Sequence, residues 1–178
     1  MCGIYGITKP IKSDLISRKM DLLKHRGPDY SDFQYVDHVG MGHTRLAILD
    51  LDKRSNQPFT YHNLQIVFNG KIYNYGVLKE ELFGAGFTFR TESDTEVICA
   101  AYIKWGLACV ERLKGMFAFV IYDRSKNILC GARDRMGQKP FFYRLEGGCM
   151  EFSSELYPIL VGDSSFVLNE NATSDVLT

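Results

Sequence analysis

A thiol stands at the second position of this chain, where Met1 is followed by Cys2-Gly3-Ile4-Tyr5-Gly6-Ile7. Once Met1 is removed, one residue carries both a thiol and a free α-amine, whose ordinary pKa values are about 8.5 and about 8. Such an amine can take the thiol proton, directly or through a water, and later hand a proton to a leaving amine. The small residue at position 2 suits removal of Met1, and Gly3 leaves room for a substrate to approach. Thiol attack on a carbonyl also needs donors aimed at the developing oxyanion. Asn69-Gly70 offers a side-chain amide beside a backbone N–H, although the same pair is the commonest short hairpin signal. A substrate carboxylate needs a fixed fork of donors, which Arg45 at the head of an apolar strand could supply; the alternative is a surface salt bridge. A substrate ammonium needs a carboxylate, and Asp94 in Ser93-Asp94-Thr95-Glu96 fits that role or helix capping equally well.

The elements that must position these residues are short. Apolar-rich segments at Ile4–Ile7, Arg45–Leu51, Leu64–Phe68, Gly115–Tyr122, Ile128–Ala132, Pro140–Arg144 and Met150–Ser153 predict buried or half-buried strands. Helical spacing marks Ser13–Lys24, with Ser13 as N-cap, Tyr75–Ala85, and Ser93–Trp105, where Ser93 and Glu96 have the spacing of a capping box. Polar turns are expected at His25–Asp29, Phe68–Lys71 and Arg133–Gln138. Many strands with few, non-alternating helices favour stacked antiparallel sheets over a parallel one.

The bulk properties narrow the setting. The 178 residues fit one domain, and 46% hydrophobic with 24% charged residues is an ordinary globular mixture. No run approaches the roughly 20 apolar residues of a membrane span, and the first residues lack a signal-peptide layout, so a cytoplasmic protein is expected. Lys and Arg total 21 against 21 Asp and Glu, which favours neither nucleic acid nor an anionic membrane surface. Five widely spaced cysteines without a CxxC pair predict no zinc site, no other metal site and no disulfide framework.

Taken in order, the motifs resemble the class II, N-terminal-nucleophile glutamine amidotransferase domain, and within that class the glutaminase half of glutamine-hydrolysing asparagine synthetase. The stretches that carry the resemblance are Met1–Ile4, His25–Asp29, Gly42–Asp50, Gln57-Pro58, Phe68–Asn74, Ser93–Glu96, Gly115–Phe119 and Phe152–Glu155. The resemblance implies a four-layer α/β/β/α sandwich, an α+β fold with two stacked antiparallel sheets. It makes Cys2 the nucleophile with its own α-amine as base, and Asn69 and Gly70 the oxyanion hole. Arg45 would hold the glutamine carboxylate, with backbone from Leu46, Ala47, Ile48 and Leu49 along the same wall, and Asp94 the ammonium. Arg26, Gly27, Pro28 and Asp29 would be structural near the pocket.

One position departs from the family pattern. Where relatives carry Glu after Asn-Gly, helping to bind the ammonium, this chain has Lys71. A unit charge pair about 4 Å apart is worth roughly 4 kcal/mol at an effective dielectric near 20, so attraction becomes repulsion of consequence. Either Lys71 turns to solvent and Asp94 works alone, or glutamine binds weakly. The resemblance further implies a domain over residues 1–160 and a linker over 161–178 leading to a missing C-terminal synthetase half, joined in cis or in trans. ATP and Mg would belong to that half, since no Ser-Gly-Gly-x-Asp-Ser run occurs here; no cofactor is expected in this chain, and a homodimer is compatible with it. Two alternatives stand beside this reading. One is a glutaminase domain serving the amidation of sugar acids in surface-polysaccharide synthesis, and the other a catalytically silent docking domain.

Overall fold

The computed structural model describes residues 1–162, so the expected linker, residues 161–178, falls almost wholly outside the described part. Two antiparallel sheets form the centre. The first has the order β2-β3-β1-β9-β8, from Tyr30–Val36, Val39–Arg45, Gly3–Ile7, Cys149–Ser153 and Phe142–Glu146. The second has the order β4-β5-β6-β7, from Phe59–Tyr61, Leu64–Ile72, Gly115–Asp123 and Ile128–Arg133. Helices α1 (Ser13–Asp21) and α5 (Leu156–Leu160) cover the outer face of the first sheet. Helices α2 (Tyr75–Gly84) and α3 (Asp94–Trp105), with the short α4 (Cys109–Arg112), cover the second. This is the expected α/β/β/α sandwich.

Three apolar layers hold it together. Ile4, Met41, Val67, Val120 and Phe152 fill the space between the sheets. Ile66, Phe68 and Ile72 pack with Leu78, Leu82, Val97 and Ile98 under α2 and α3. Tyr5, Ile7, Met20 and Leu23 seal α1 onto the first sheet. The two-residue period of the strands assigns every side chain to one layer or another.

Several boundaries differ from expectation. The strand placed at Arg45–Leu51 is instead Val39–Arg45, and Arg45 ends the strand rather than heading it. The apolar residues after Arg45 form a loop because the Arg45 guanidinium gathers its backbone, donating to the carbonyls of Leu49, Asp50 and Asp52 and to Asn56 Oδ1. Strand β2 escapes the apolar pattern because it is an edge strand with largely exposed residues. Helix α1 is capped by Lys12 without a side-chain bond, not by Ser13, and a 3-10 turn at Lys24–Arg26 follows it. At α3, Ser93 accepts the Thr95 N–H at 3.2 Å. Fully buried Glu96 does not reach back to Ser93; its carboxylate accepts the N–H groups of Arg90 and Thr91 and the Thr91 hydroxyl instead.

The most consequential correction is at Phe68–Lys71. No turn forms there, and β5 runs straight on, with Asn69 opposite Ala118 and Gly70 opposite Phe117. Glycine is needed at position 70 for close approach: a Cβ there would lie 2.3 Å from Met116 O and 2.7 Å from Phe117 Cα. Overpacking of this kind costs about 1–3 kcal/mol. Gly70→Ala should therefore lower the unfolding free energy obtained from urea titration by about that amount, whereas an unchanged free energy would show that the two strands part easily.

Candidate active site

Strand alternation brings the candidate residues together. Val39, Met41, His43 and Arg45 share the inner face of β3, Cys2 and Ile4 that of β1, and Val67, Asn69 and Lys71 that of β5. Because Gly3 pairs with Thr44, Cys2 emerges beside Arg45 at the end of the sandwich. A pocket of about 370 Å³ opens there. Its lining includes Cys2, Arg45, Leu46, Ile48, Leu49, Asn69, Gly70, Lys71 and Asp94. Ala47 is not in the lining; its N–H is held by Asp29 Oδ2 at 2.7 Å.

The thiol is half-buried and fixed by one residue. Leu46 N–H donates to Cys2 Sγ at 3.4 Å, and Leu46 O lies 3.7 Å from the same sulfur. Burial raises the thiol pKa above its ordinary value, opposed by the Leu46 N–H, the N-terminal ammonium, Arg45 and Lys139. Behind it, Arg26 Nε donates to Cys2 O at 2.9 Å, while Arg26 Nη1 pairs with Glu155. Gly27 passes so near β3 that a Cβ would lie 2.4 Å from Thr44 O. Asp29 N–H donates to Arg45 O at 3.0 Å. Thus Arg26, Gly27 and Asp29 lock the loop to the ends of β1 and β3 outside the pocket. Pro28, between Gly27 and Asp29, is exposed and not part of the lining.

On the opposite wall, β5 outruns β4, whose last pairing partner on β5 is Ile66. The outward backbone groups beyond that point meet side chains. Phe68 N–H donates to Gln57 Oε1 at 2.6 Å, Phe68 O faces His43 Nε2 at 3.2 Å, and Ile72 N–H donates to Asp94 Oδ2 at 3.0 Å. By the same alternation the Gly70 N–H leaves on this side, toward the pocket. Asn69 is buried, and its Nδ2 has no hydrogen-bond partner among the described residues. A buried amide without a partner costs about 1–3 kcal/mol, and here it borders the cavity that holds the thiol.

Lys71 does not turn to solvent. Its Nζ lies 3.9 Å from Asp94 Oδ2 and 4.4 Å from the Tyr75 ring centroid, with the side chain 31% exposed. Burial pushes the Asp94 pKa up, opposed by the Ile72 N–H and by Lys71. Arg45 is buried rather than part of a surface salt bridge.

Comparison with known proteins shows the family. The profile of the glutamine amidotransferase domain matches residues 1–178. The chain belongs to that family. Among relatives of this amidotransferase domain is "Asparagine synthetase [glutamine-hydrolyzing] 1" of Bacillus subtilis (strain 168), 36% identical over all of this chain and 29% of the relative. "Asparagine synthetase [glutamine-hydrolyzing] 3" of the same organism is 42% identical over 90% of this chain and 27% of its own length. The chain thus spans under a third of these two relatives. A solved structure, the glutamine phosphoribosylpyrophosphate amidotransferase of B. subtilis complexed with ADP and GMP, has a TM-score of 0.76. At 23% identity over 90% of this chain and 43% of that one, it shows a shared fold. No helix among the described residues is long and apolar enough to cross a membrane.

The pocket of this amidotransferase domain is also bordered by residues to which the motifs gave no role. His43, Gln57 and Lys139 line the pocket. Lys139 is buried with Nζ 3.3 Å from Met1 Sδ. His43 is fully buried, and burial drives its pKa down to about 3, against the bond to Phe68 O and aided by Arg45. A neutral ring must then donate from Nε2 to Phe68 O. The unfolded chain takes up this proton near pH 6.5 and the folded one does not, so stability falls as pH drops from about 6.5 toward 3. Between pH 6.5 and 4.5 the loss from this group is on the order of 2 kcal/mol. Urea midpoints should therefore fall further in the wild type than in His43→Gln over that range; parallel losses would contradict it.

Proposed function

We propose that this chain performs the glutaminase half-reaction of an asparagine-synthetase-like amidotransferase. The observation that carries the reading is the pair of donors opposite the thiol: buried Asn69 Nδ2 and the Gly70 N–H on the edge of β5 beyond β4, neither with a partner among the described residues. After Met1 is removed, the Cys2 amine takes the thiol proton and Sγ attacks the side-chain amide of glutamine. Asn69 and Gly70 stabilise the oxyanion, the C–N bond breaks, and the amine's proton leaves with ammonia. Water then hydrolyses the glutamyl thioester to glutamate. Arg45 and the Leu46–Leu49 backbone orient the carboxylate, and Asp94 is the carboxylate available to the ammonium.

The acceptor of the ammonia belongs to a synthetase half, in cis or in trans, and ATP and Mg2+ are assigned to that half. The likeness to asparagine synthetases favours aspartate as the acceptor. On edge strand β8, Phe142, Tyr143 and Leu145 are exposed, which suits an apolar contact with such a half. In the same segment Phe141 is tucked against Phe152, with ring centroids 5.9 Å apart.

Two outcomes follow. Asn69→Ala should lower kcat for glutamine hydrolysis by about 10²–10³ with KM little changed, the usual cost of one oxyanion donor; a kcat within threefold of wild type contradicts the assignment. With Met1 in place, the half-buried thiol, its pKa raised by burial, should alkylate slowly at neutral pH and faster in alkali. Removing Met1 sets the amine on Cys2 itself and should add fast labelling near neutrality by a glutamine analogue with an alkylating amide end. Equal labelling of both forms contradicts the amine's role.

A further inference from the structure

A cation stands beside the nucleophile with no anion to answer it. Lys139 is only 6% exposed and borders the pocket. Among the described residues its Nζ makes no ion pair, and its one acceptor is Met1 Sδ at 3.3 Å. A thioether is a weak acceptor, and this one sits on the residue that must leave to free the Cys2 amine. Buried charges are ordinarily paired, so an ammonium without a counter-ion has to be held in place by other means. The backbone supplies them. Lys139 N–H donates to Asp134 Oδ2 at 3.0 Å, and Arg133 Nε donates to Lys139 O at 2.6 Å. Asp134 also accepts the Phe117 N–H at 3.1 Å, while its own N–H donates to Phe117 O at 2.8 Å. The loop that carries Lys139 is thereby clamped to β6 at Phe117, the residue opposite Gly70.

The surrounding charged groups leave this ammonium uncompensated. Asp134 is taken up by the N–H groups of Phe117, Gln138 and Lys139. Glu155 pairs with Arg26, which secures Cys2 O, and His25 Nε2 lies 3.6 Å from the same carboxylate. Across the cavity Asp94 accepts the Ile72 N–H and faces Lys71. Arg45 adds a further positive charge, and His43 is neutral. Such a field matters to an α-amine. Its ordinary pKa of about 8 leaves it mostly protonated at neutral pH, and a protonated amine cannot take the thiol proton. A neighbouring cation disfavours that charged form.

We infer that Lys139 is a positioning residue that acts through the Cys2 α-amine, its fixed ammonium keeping that amine in the neutral form that serves as base. The inference rests on the glutaminase reading of the site and adds a residue to it. The neutral amine takes the Sγ proton as the Sγ–C bond forms. The resulting ammonium, made a stronger acid by the same cation, passes its proton to the amide nitrogen as the C–N bond breaks. Removal of Met1 frees the amine and takes Met1 Sδ away from Lys139 in one step.

The test uses the full chain with Met1 removed and its cysteines labelled with 15N. Two quantities are measured: the pH profile of kcat/KM for glutamine hydrolysis, and the titration midpoint of the Cys2 α-amine from its 15N shift without substrate. Lys139→Met should move both the acid limb and the midpoint to higher pH by about 0.5 unit or more. On the acid limb kcat/KM then falls about threefold, and it recovers toward the wild-type value at higher pH. Lys139→Arg, which keeps the charge, should leave both near the wild type. Lys139→Gln should repeat the shift of Lys139→Met and replaces it if that variant does not fold. An unmoved midpoint, or a loss of kcat/KM that is equal at every pH, overturns the inference and leaves the glutaminase reading standing. Protein with native circular dichroism that releases no ammonia from glutamine at any pH overturns the glutaminase reading, and the amine midpoint still decides for or against Lys139.

Discussion

Beyond the end of β4, strand β5 has a backbone edge with no strand of the described residues beside it, and the whole site is organised around satisfying that edge. Buried N–H and C=O groups need partners, and a missing strand leaves several at once. Gln57, His43 and Asp94 come from a loop, a strand of the other sheet and a helix terminus to supply them. Each also borders the pocket. The same bonds that replace the strand therefore set the walls. Between Phe68 and Ile72, Asn69 and Gly70 are held on a rigid element rather than a turn, which suits donors that must be preorganised.

The opposite wall depends on Arg45. Its guanidinium gathers the carbonyls of the Leu46–Asp52 loop, and that loop presents Leu46 to the thiol. Arg26 secures the carbonyl of Cys2, so backbone position at the nucleophile is fixed from behind while Sγ faces the cavity. Charge in the pocket is lopsided. Neutral His43 adds nothing to it, and Asp94 stands against Arg45, Lys71 and Lys139.

Much of this was legible in the sequence, for physical reasons that differ by residue. Cys2 stands out because only a residue that follows Met1 can join a thiol to a free amine. Asp94 stands out because it opens a helix, and its dual use, as ligand candidate and as acceptor for Ile72 N–H, is what such a position permits. Asn69-Gly70 was ambiguous, since the dipeptide favours turns and only the tertiary pairing with Ala118 and Phe117 makes it a strand. The boundary at Arg45 was misplaced because Leu46–Leu51 is apolar, while the guanidinium that bends it into a loop acts through backbone carbonyls that sequence does not display. His43 and Gln57 lie in stretches that carry the resemblance, but nothing local assigns either a role. Their roles arise from where β4 stops, and that is a property of sheet pairing.

The proposed function requires Asn69 Nδ2 and the Gly70 N–H to receive together the oxyanion formed at Cys2. The most direct measurement is a crystal structure of the Met1-free chain with Cys2 bonded to an aldehyde analogue of glutamine, a stand-in for the tetrahedral intermediate. The adduct oxygen should lie within about 2.7–3.1 Å of both donors. An oxygen turned toward solvent, or bound by neither donor, would contradict it.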